Sequence, residues 1–252
     1  MAGHARQEKH DEELRILAID IGGTGLKASI VDRSGQLLAP RQRIKTPYPC
    51  PPSAMMEALA ELTAPLPAHN RIAIGFPGVV RSGAVVTAPH FGTEEWTGFP
   101  LAEASAERFG SPARLVNDAE MQGLAVIRGK GLEFILTLGT GAGTGLFRDG
   151  RLMPHLEVAQ HPIYGKKTTY NDYIGDAALK EEGAKHWNKR VAHAIEVLTS
   201  LLHFDHLFIG GGNARKLTLT PSPSITIVSN DSGIEGGAAL WRGNPLEPGE
   251  DV

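Results

Sequence analysis

Residues 15–32 read RILAIDIGGTGLKASIVD. Residues 15–19 are a short apolar run of the kind a strand buries on at least one face. Asp20 ends it, and a turn follows with Gly22, Gly23, Thr24 and Gly25. Strand chemistry resumes from Lys27 through Ala28, Ile30 and Val31. A strand, a glycine turn and a returning strand point backbone N–H groups at an anion with no Cβ in the way. Thr24 adds a hydroxyl donor, and Asp20 stands where a carboxylate can hold Mg²⁺ through water. An ordinary hairpin whose glycines only serve the bend has the same local sequence.

Residues 134–149, FILTLGTGAGTGLFRD, repeat the pattern. An apolar strand leads to a turn with Gly139, Thr140, Gly141, Gly143, Thr144 and Gly145, and a short strand follows. Polar turns then close both copies, Arg33-Ser34-Gly35 in one and Arg148-Asp149-Gly150 in the other. Self-similarity at this separation predicts two related halves, not a short-period solenoid. Two such hairpins facing across a cleft suit a phosphoryl transferase. The pair resembles the phosphate motifs of the sugar kinase, actin and Hsp70-like ATPase superfamily.

The chain of 252 residues is long enough for one large or two small cores. Its net charge of −3 disfavours nucleic acid and membrane surfaces as partners. The single cysteine, Cys50, excludes an intramolecular disulfide and fits a reducing, cytoplasmic setting. No apolar run reaches membrane-spanning length, and the polar residues 1–14 read as a flexible tail.

Along the chain, the sequence predicts a third strand over 36–44, a proline-rich loop over 46–53 and a helix over 54–62. A strand over 71–75 runs into Phe76-Pro77-Gly78. An aromatic loop over 90–100 and a helix over 101–109 precede a strand over 114–116. That strand runs straight into Asn117 and Asp118, a polar pair at the sheet edge where open α/β sheets place ligands. Asn117 can bond a hydroxyl-rich ligand and Asp118 can take its proton; either can also cap the helix that follows. Residues 155–162, HLEVAQHP, invite a metal reading through His155, Glu157 and His161, but no cysteine cluster joins them. A carboxylate at Glu157 meeting sugar hydroxyls is the better use of that residue. Residues 164–173 read as an exposed segment, and 176–204 as the longest helix, with Trp187 in the core. A strand over 206–209 ends in Gly210, Gly211, Gly212 and Asn213, which permit close approach of a flat or phosphorylated group. A strand over 224–228 and a helix over 235–241, capped by Asp231 or Ser232, complete the reading.

Taken in order, DIGGTGLK (20–27), GFPGVV (75–80), VNDAEMQGLA (116–125), LGTGAGTGLFRDGRLMP (138–154), Glu157 and IGGGNARKL (209–217) resemble the ROK family of sugar kinases, on its polyphosphate/ATP glucokinase side. The resemblance implies a two-lobed α/β, actin/hexokinase-like (duplicated ribonuclease H-like) fold with a central cleft. It implies an N-terminal lobe over 15–118 and a C-terminal lobe over 119–242, with the helix 235–242 packing back on the first. It implies Asp118 as catalytic base, and Gly78, Asn117 and Glu157 on the sugar. The donor, ATP or polyphosphate with Mg²⁺, falls to Asp20, Gly22, Gly23, Thr24, Gly25, Lys27, Gly139, Thr140, Gly141, Gly143, Gly210, Gly211, Gly212 and Asn213. Partners are then a hexose and a phosphoryl donor, with a homodimer as a further option.

Two departures stand out. The family's cysteine-rich zinc motif is missing, and Gln160 replaces its histidine three residues beyond the glutamate, with His161 next to it as the substitute sugar contact. A sugar-sensing protein that has lost catalysis is the alternative. Polyphosphate use predicts a basic track, with Lys166, Lys167, Arg215 and Lys216 as candidates and Lys185, Lys189 and Arg190 on the long helix.

Overall fold

The computed structural model describes residues 13–219, 222–229 and 232–242. The first half runs β1 (Ile16–Ile21), β2 (Gly25–Val31), β3 (Gln42–Lys45), α1 (Pro52–Thr63), β4 (Arg71–Phe76), β5 (Val80–Arg81), β6 (Ala84–Val85), α2 (Thr93–Trp96), α3 (Leu101–Phe109) and β7 (Ala113–Asn117). After α4 (Asp118–Val126) come β8 (Leu132–Leu138), β9 (Ala142–Arg148), β10 (Arg151–Leu152), β11 (Pro162–Tyr164), β12 (Thr168–Thr169) and α5 (Tyr170–Ile174). The chain continues through α6 (Asp176–Leu202), β13 (His206–Gly210), β14 (Ile225–Ile227) and α7 (Ser232–Ala239).

Two five-stranded sheets follow one plan, β3-β2-β1-β4-β7 and β10-β9-β8-β13-β14. In each, a three-stranded antiparallel meander is extended by parallel strands. Both faces of each sheet are covered, which explains why the central strands read as nearly continuous apolar runs. Leu17, Ile19 and Ile21 of β1 join Leu26, Ala28 and Ile30 of β2 against Met55 and Leu59 of α1. Ile16 and Ala18 turn the other way, toward Met121 and Leu124 of α4 and Ile234 and Ala238 of α7. That middle core also takes Ile135, Phe147 and Phe208 from the second sheet, so it joins the halves. The outer face of the second sheet packs Phe134, Leu136 and Leu138 against Trp187, Val191 and Leu198 of α6. Each such side chain, fully buried, contributes roughly 1.5–3 kcal/mol.

In the middle core, α4 and α7 touch backbone to backbone. A Cβ at Gly236 would fall on the carbonyl oxygen of Met121, and one at Gly237 would lie 2.7 Å from the Cβ of Ala18. Glycine is the residue that lets helices approach this far.

Local departures from the sequence reading have local causes. The third strand is shorter than 36–44, because the Asp32 carboxylate accepts from Ser34 and Gln36 and draws the chain into a turn. Helix α1 begins at Pro52, inside the expected loop, since proline is tolerated in a first helical turn. Residues 164–173 are not simply exposed: Thr169 and Asp172 form a capping box that starts α5 and buries Tyr170. The long helix is interrupted at Gly183, whose φ of 75° and ψ of 161° no helix contains. The tail 1–12, Asp231 and the residues from 243 onward lie outside the described residues, as does the side chain of Ser232, so the expected cap on α7 does too.

Candidate active site

Both glycine turns open on one cavity of about 470 Å³ between the sheets. The β1–β2 turn is closed by Gly22 N–H on the Gly25 carbonyl, 3.1 Å. Thr46 Oγ1 donates to the Gly22 carbonyl at 2.7 Å and Tyr48 Oη to that of Gly23 at 2.5 Å. At the second turn, Asn171 Oδ1 accepts from Ala142 N–H at 2.7 Å and Thr137 Oγ1 from Gly143 N–H at 3.1 Å. Gly211, at φ 84°, lies so close to the Leu138 backbone that a Cβ would overlap it. Gly139 and Gly212 differ: a Cβ on either would meet nothing within 4 Å and would fill the cavity itself. These two bare backbones face ligand space.

The carboxyl end of β7 supplies the polar pair. Asn117 caps α4: its Oδ1 accepts from Ala119 and Glu120 N–H, while Glu120 Oε2 accepts from Asn117 N–H at 3.0 Å. Its Nδ2 donates to the Gly78 carbonyl at 3.1 Å, tying the β4–β5 turn to the site. The cap therefore falls on Asn117, and Asp118 is left facing the cavity. Protein surrounds that carboxyl, although part of its surface opens into the cavity. Burial, then the negative charges of Asp20 and Glu120, lift its pKa from 3.8 to about 7, against the hydrogen bond from Ala119 N–H. Asp20, the other carboxylate on this floor, takes a 3.0 Å ion pair from Lys27 Nζ.

Glu157 and His155 line another part of the cavity with Gly78 and Gln160. His155 Nδ1 meets Glu120 Oε1 at 2.6 Å, and its Nε2 lies 3.7 Å from Glu157 Oε2 with no hydrogen-bond partner. Burial pulls the His155 pKa down, but the two glutamates outweigh it and raise it to about 9. His155 is thus an imidazolium clamped between Glu120 and Glu157. Among the described residues no three His, Cys, Asp or Glu side chains gather as a metal cage.

The residues assigned from sequence to the sugar and to the donor phosphates line this cavity except Gly210 and His161. Gly210 packs beneath it, its Cα beside the Gln122 side chain. His161 follows a 3-10 turn at Val158–Gln160, and the extended backbone there carries its side chain into solvent while Gln160 faces the cavity. Sequence reasoning missed Arg43, His90, Gln122, Asn171 and Asp176, all in the lining. His90 covers the first turn, its ring 3.3 Å from where a Gly23 Cβ would stand.

Two duplicated α/β lobes, with a glycine hairpin from each meeting a buried carboxylate in the cleft, define the actin/hexokinase-like class of phosphotransferase folds. The chain belongs to the ROK family, whose profile matches residues 16–155. It is 31% identical over 238 residues to the polyphosphate glucokinase of Mycobacterium tuberculosis, covering 87% of this chain and 88% of that one. The inorganic polyphosphate/ATP-glucomannokinase of Arthrobacter sp. strain KM superposes with a TM-score of 0.81 at 27% identity, over 91% of this chain and all of that one. A ROK glucokinase from Streptomyces griseus, solved with glucose and AMPPNP, shares the fold at a TM-score of 0.78 and 18% identity, over 91% and 100% of the chains.

Proposed function

We propose that the chain is a hexose kinase that transfers the terminal phosphoryl group of ATP or polyphosphate to the 6-hydroxyl of glucose, with Asp118 as general base. The observation that carries this is the Asp118 carboxyl, held near neutral pKa at the floor of a cleft where both glycine turns converge. A general base works best with a pKa near the working pH. Asp118 accepts the proton of the sugar hydroxyl as that oxygen attacks the terminal phosphorus, and the donor leaves with the electron pair of its bridging bond. Glu157 and the backbone around Gly78 orient the sugar. Backbone N–H groups of the two turns stabilise charge on the equatorial oxygens, since phosphoryl transfer is governed by positioning and electrostatics.

Mg²⁺ suits this donor set: Asp20 and Asp118 are oxygen ligands side by side on the cavity floor, and hard cations prefer such oxygens. Asp20 would hold it through water, where it supplies charge neutralisation to the donor phosphates. One observation favours a sugar sensor instead, namely Gln160 in the cavity wall where the family carries histidine. A coupled assay with glucose and either donor, on the native chain and Asp118→Asn, tests the proposal. Turnover that disappears in the variant supports it; no turnover with any hexose or donor leaves the sensor.

A further inference from the structure

A line of charge crosses the first sheet on the face that looks toward α7. The strand register sets Asp20 opposite Lys27 and Lys27 opposite Arg43, so these three side chains share one row over β1, β2 and β3. Lys45 lies two residues beyond Arg43 and therefore on the same face, directly opposite Gly25. Ile44, between them, turns the other way into the core beneath α1. The row begins in the cleft at Asp20 and ends on β3, the edge strand. Two strand spacings of roughly 4.8 Å carry it about 10 Å outward.

Arg43 is at once part of the cavity wall and exposed to solvent. Its guanidinium lies over the first glycine turn: a Cβ on Gly25 would be 3.4 Å from Nε and 3.5 Å from Nη2. Among the described residues, neither Arg43 nor Lys45 has an ion-pair partner, whereas Lys27 is held by Asp20. The basic residues expected from sequence to form a track are elsewhere: Lys166, Lys167, Arg215, Lys216, Lys185, Lys189 and Arg190 do not line the cavity.

We propose that Lys27, Arg43 and Lys45 form the path by which a polyphosphate chain leaves the cleft, holding the phosphates behind the one transferred. This rests on the phosphoryl-transfer reading above and assigns the second donor its own exit. An adenosine needs a flat wall, which Gly211, Gly212 and Asn213 provide on the opposite lobe. A polyanion needs a succession of cations, and guanidinium is well matched to phosphate oxygens. The two donors share the glycine turns and part company beyond them.

The test compares the native chain with Lys45→Gln and with the Arg43→Gln, Lys45→Gln double variant. Glucose phosphorylation is measured with ATP, tripolyphosphate and long-chain polyphosphate at two salt concentrations. Binding of long-chain polyphosphate without sugar is measured by titration calorimetry. We expect the ratio of kcat/KM for long-chain polyphosphate to that for ATP to fall about tenfold or more in the double variant, through KM, with a flatter salt dependence. Tripolyphosphate, too short to reach Lys45, should be less affected by Lys45→Gln. Equal losses for every donor overturn the path, as does tight binding of single-stranded DNA in competition with polyphosphate. A native chain that phosphorylates glucose with ATP yet neither binds nor uses polyphosphate overturns it while leaving the kinase reading intact. Absence of turnover with all donors removes the kinase reading itself.

Discussion

Replacing Asp118 with asparagine should make the protein more stable while disabling it. The carboxyl titrates at 3.8 in ordinary surroundings and about 7 here, because burial and the charges of Asp20 and Glu120 oppose its ionisation. Between those values the folded chain holds a proton that the unfolded chain has released, so the native protein loses stability as pH rises through this window. At about 1.4 kcal/mol per pH unit, the interval of about 3 units sets a ceiling near 4 kcal/mol. Water in the cavity screens part of that, which leaves about 1–3 kcal/mol, or roughly 3–10 °C in Tm for a chain of this size. Asparagine keeps an oxygen for the Ala119 N–H and never ionises. Thermal unfolding of both proteins without ligands, from pH 4 to pH 8, should show their Tm values coinciding near pH 4 and diverging until about pH 7, then running parallel. Turnover should drop about 10²–10⁴-fold. A Tm gap that does not grow with pH would refute the account of Asp118's environment, and a variant with near-native turnover would refute its role.

Other outcomes follow from the same geometry. In the native enzyme, kcat/KM should rise about tenfold per pH unit up to about pH 7 and then level, as the base of the free enzyme ionises; a flat profile from pH 5 to 8 contradicts it. His155→Asn strips the cation from buried Glu120, so the acidic limb of that profile should move to higher pH and Tm should fall, breaking a buried pair costing about 3–5 kcal/mol. Since the His155 pKa is raised to about 9, its stabilising contribution is complete below about pH 6.5, should be lost between there and pH 9, and should be gone above it, in unfolding measured from pH 6 to 10. Gly236→Ala drives a methyl into the Met121 carbonyl and should destabilise the fold by about 1–3 kcal/mol or more, read as a lower urea midpoint; an unchanged midpoint would mean α4 and α7 separate freely.

What could be read in the sequence was local chemistry. The two glycine turns announce themselves because the residues that shape them are neighbours in the chain. The Asn117-Asp118 pair was visible because a buried strand ends there. Their supports were not, since Asn171 reaches the second turn from 29 residues away and Tyr48 reaches the first from 25. No spacing rule links such partners. Arg43 lacked a signal for a related reason: one residue of register decides whether it faces the cleft or the core. The choice between Gln160 and His161 turned on a single 3-10 turn, whose rotation aims one into the cavity and the other outward. Likewise, Gly183 inside a helical pattern reads as a tolerated residue, and only its backbone angles reveal the break.

The position of α7 has a consequence for how the protein is made. Synthesis delivers β1 through β7, Asp118 and the first glycine turn within the opening half of the chain. The inner face of that sheet nevertheless stays partly bare, because Ile16, Ala18 and Ala73 are covered not by α4 alone but also by Ile234 and Ala238, more than a hundred residues later. Gly233, beside Asp20, completes the cavity wall from the same helix. A nascent chain halted anywhere before Ser232 therefore presents a sticky apolar sheet and an unfinished cleft, a species prone to aggregate or to occupy chaperones. The cavity is therefore finished only once Gly233 and the rest of α7 have been made.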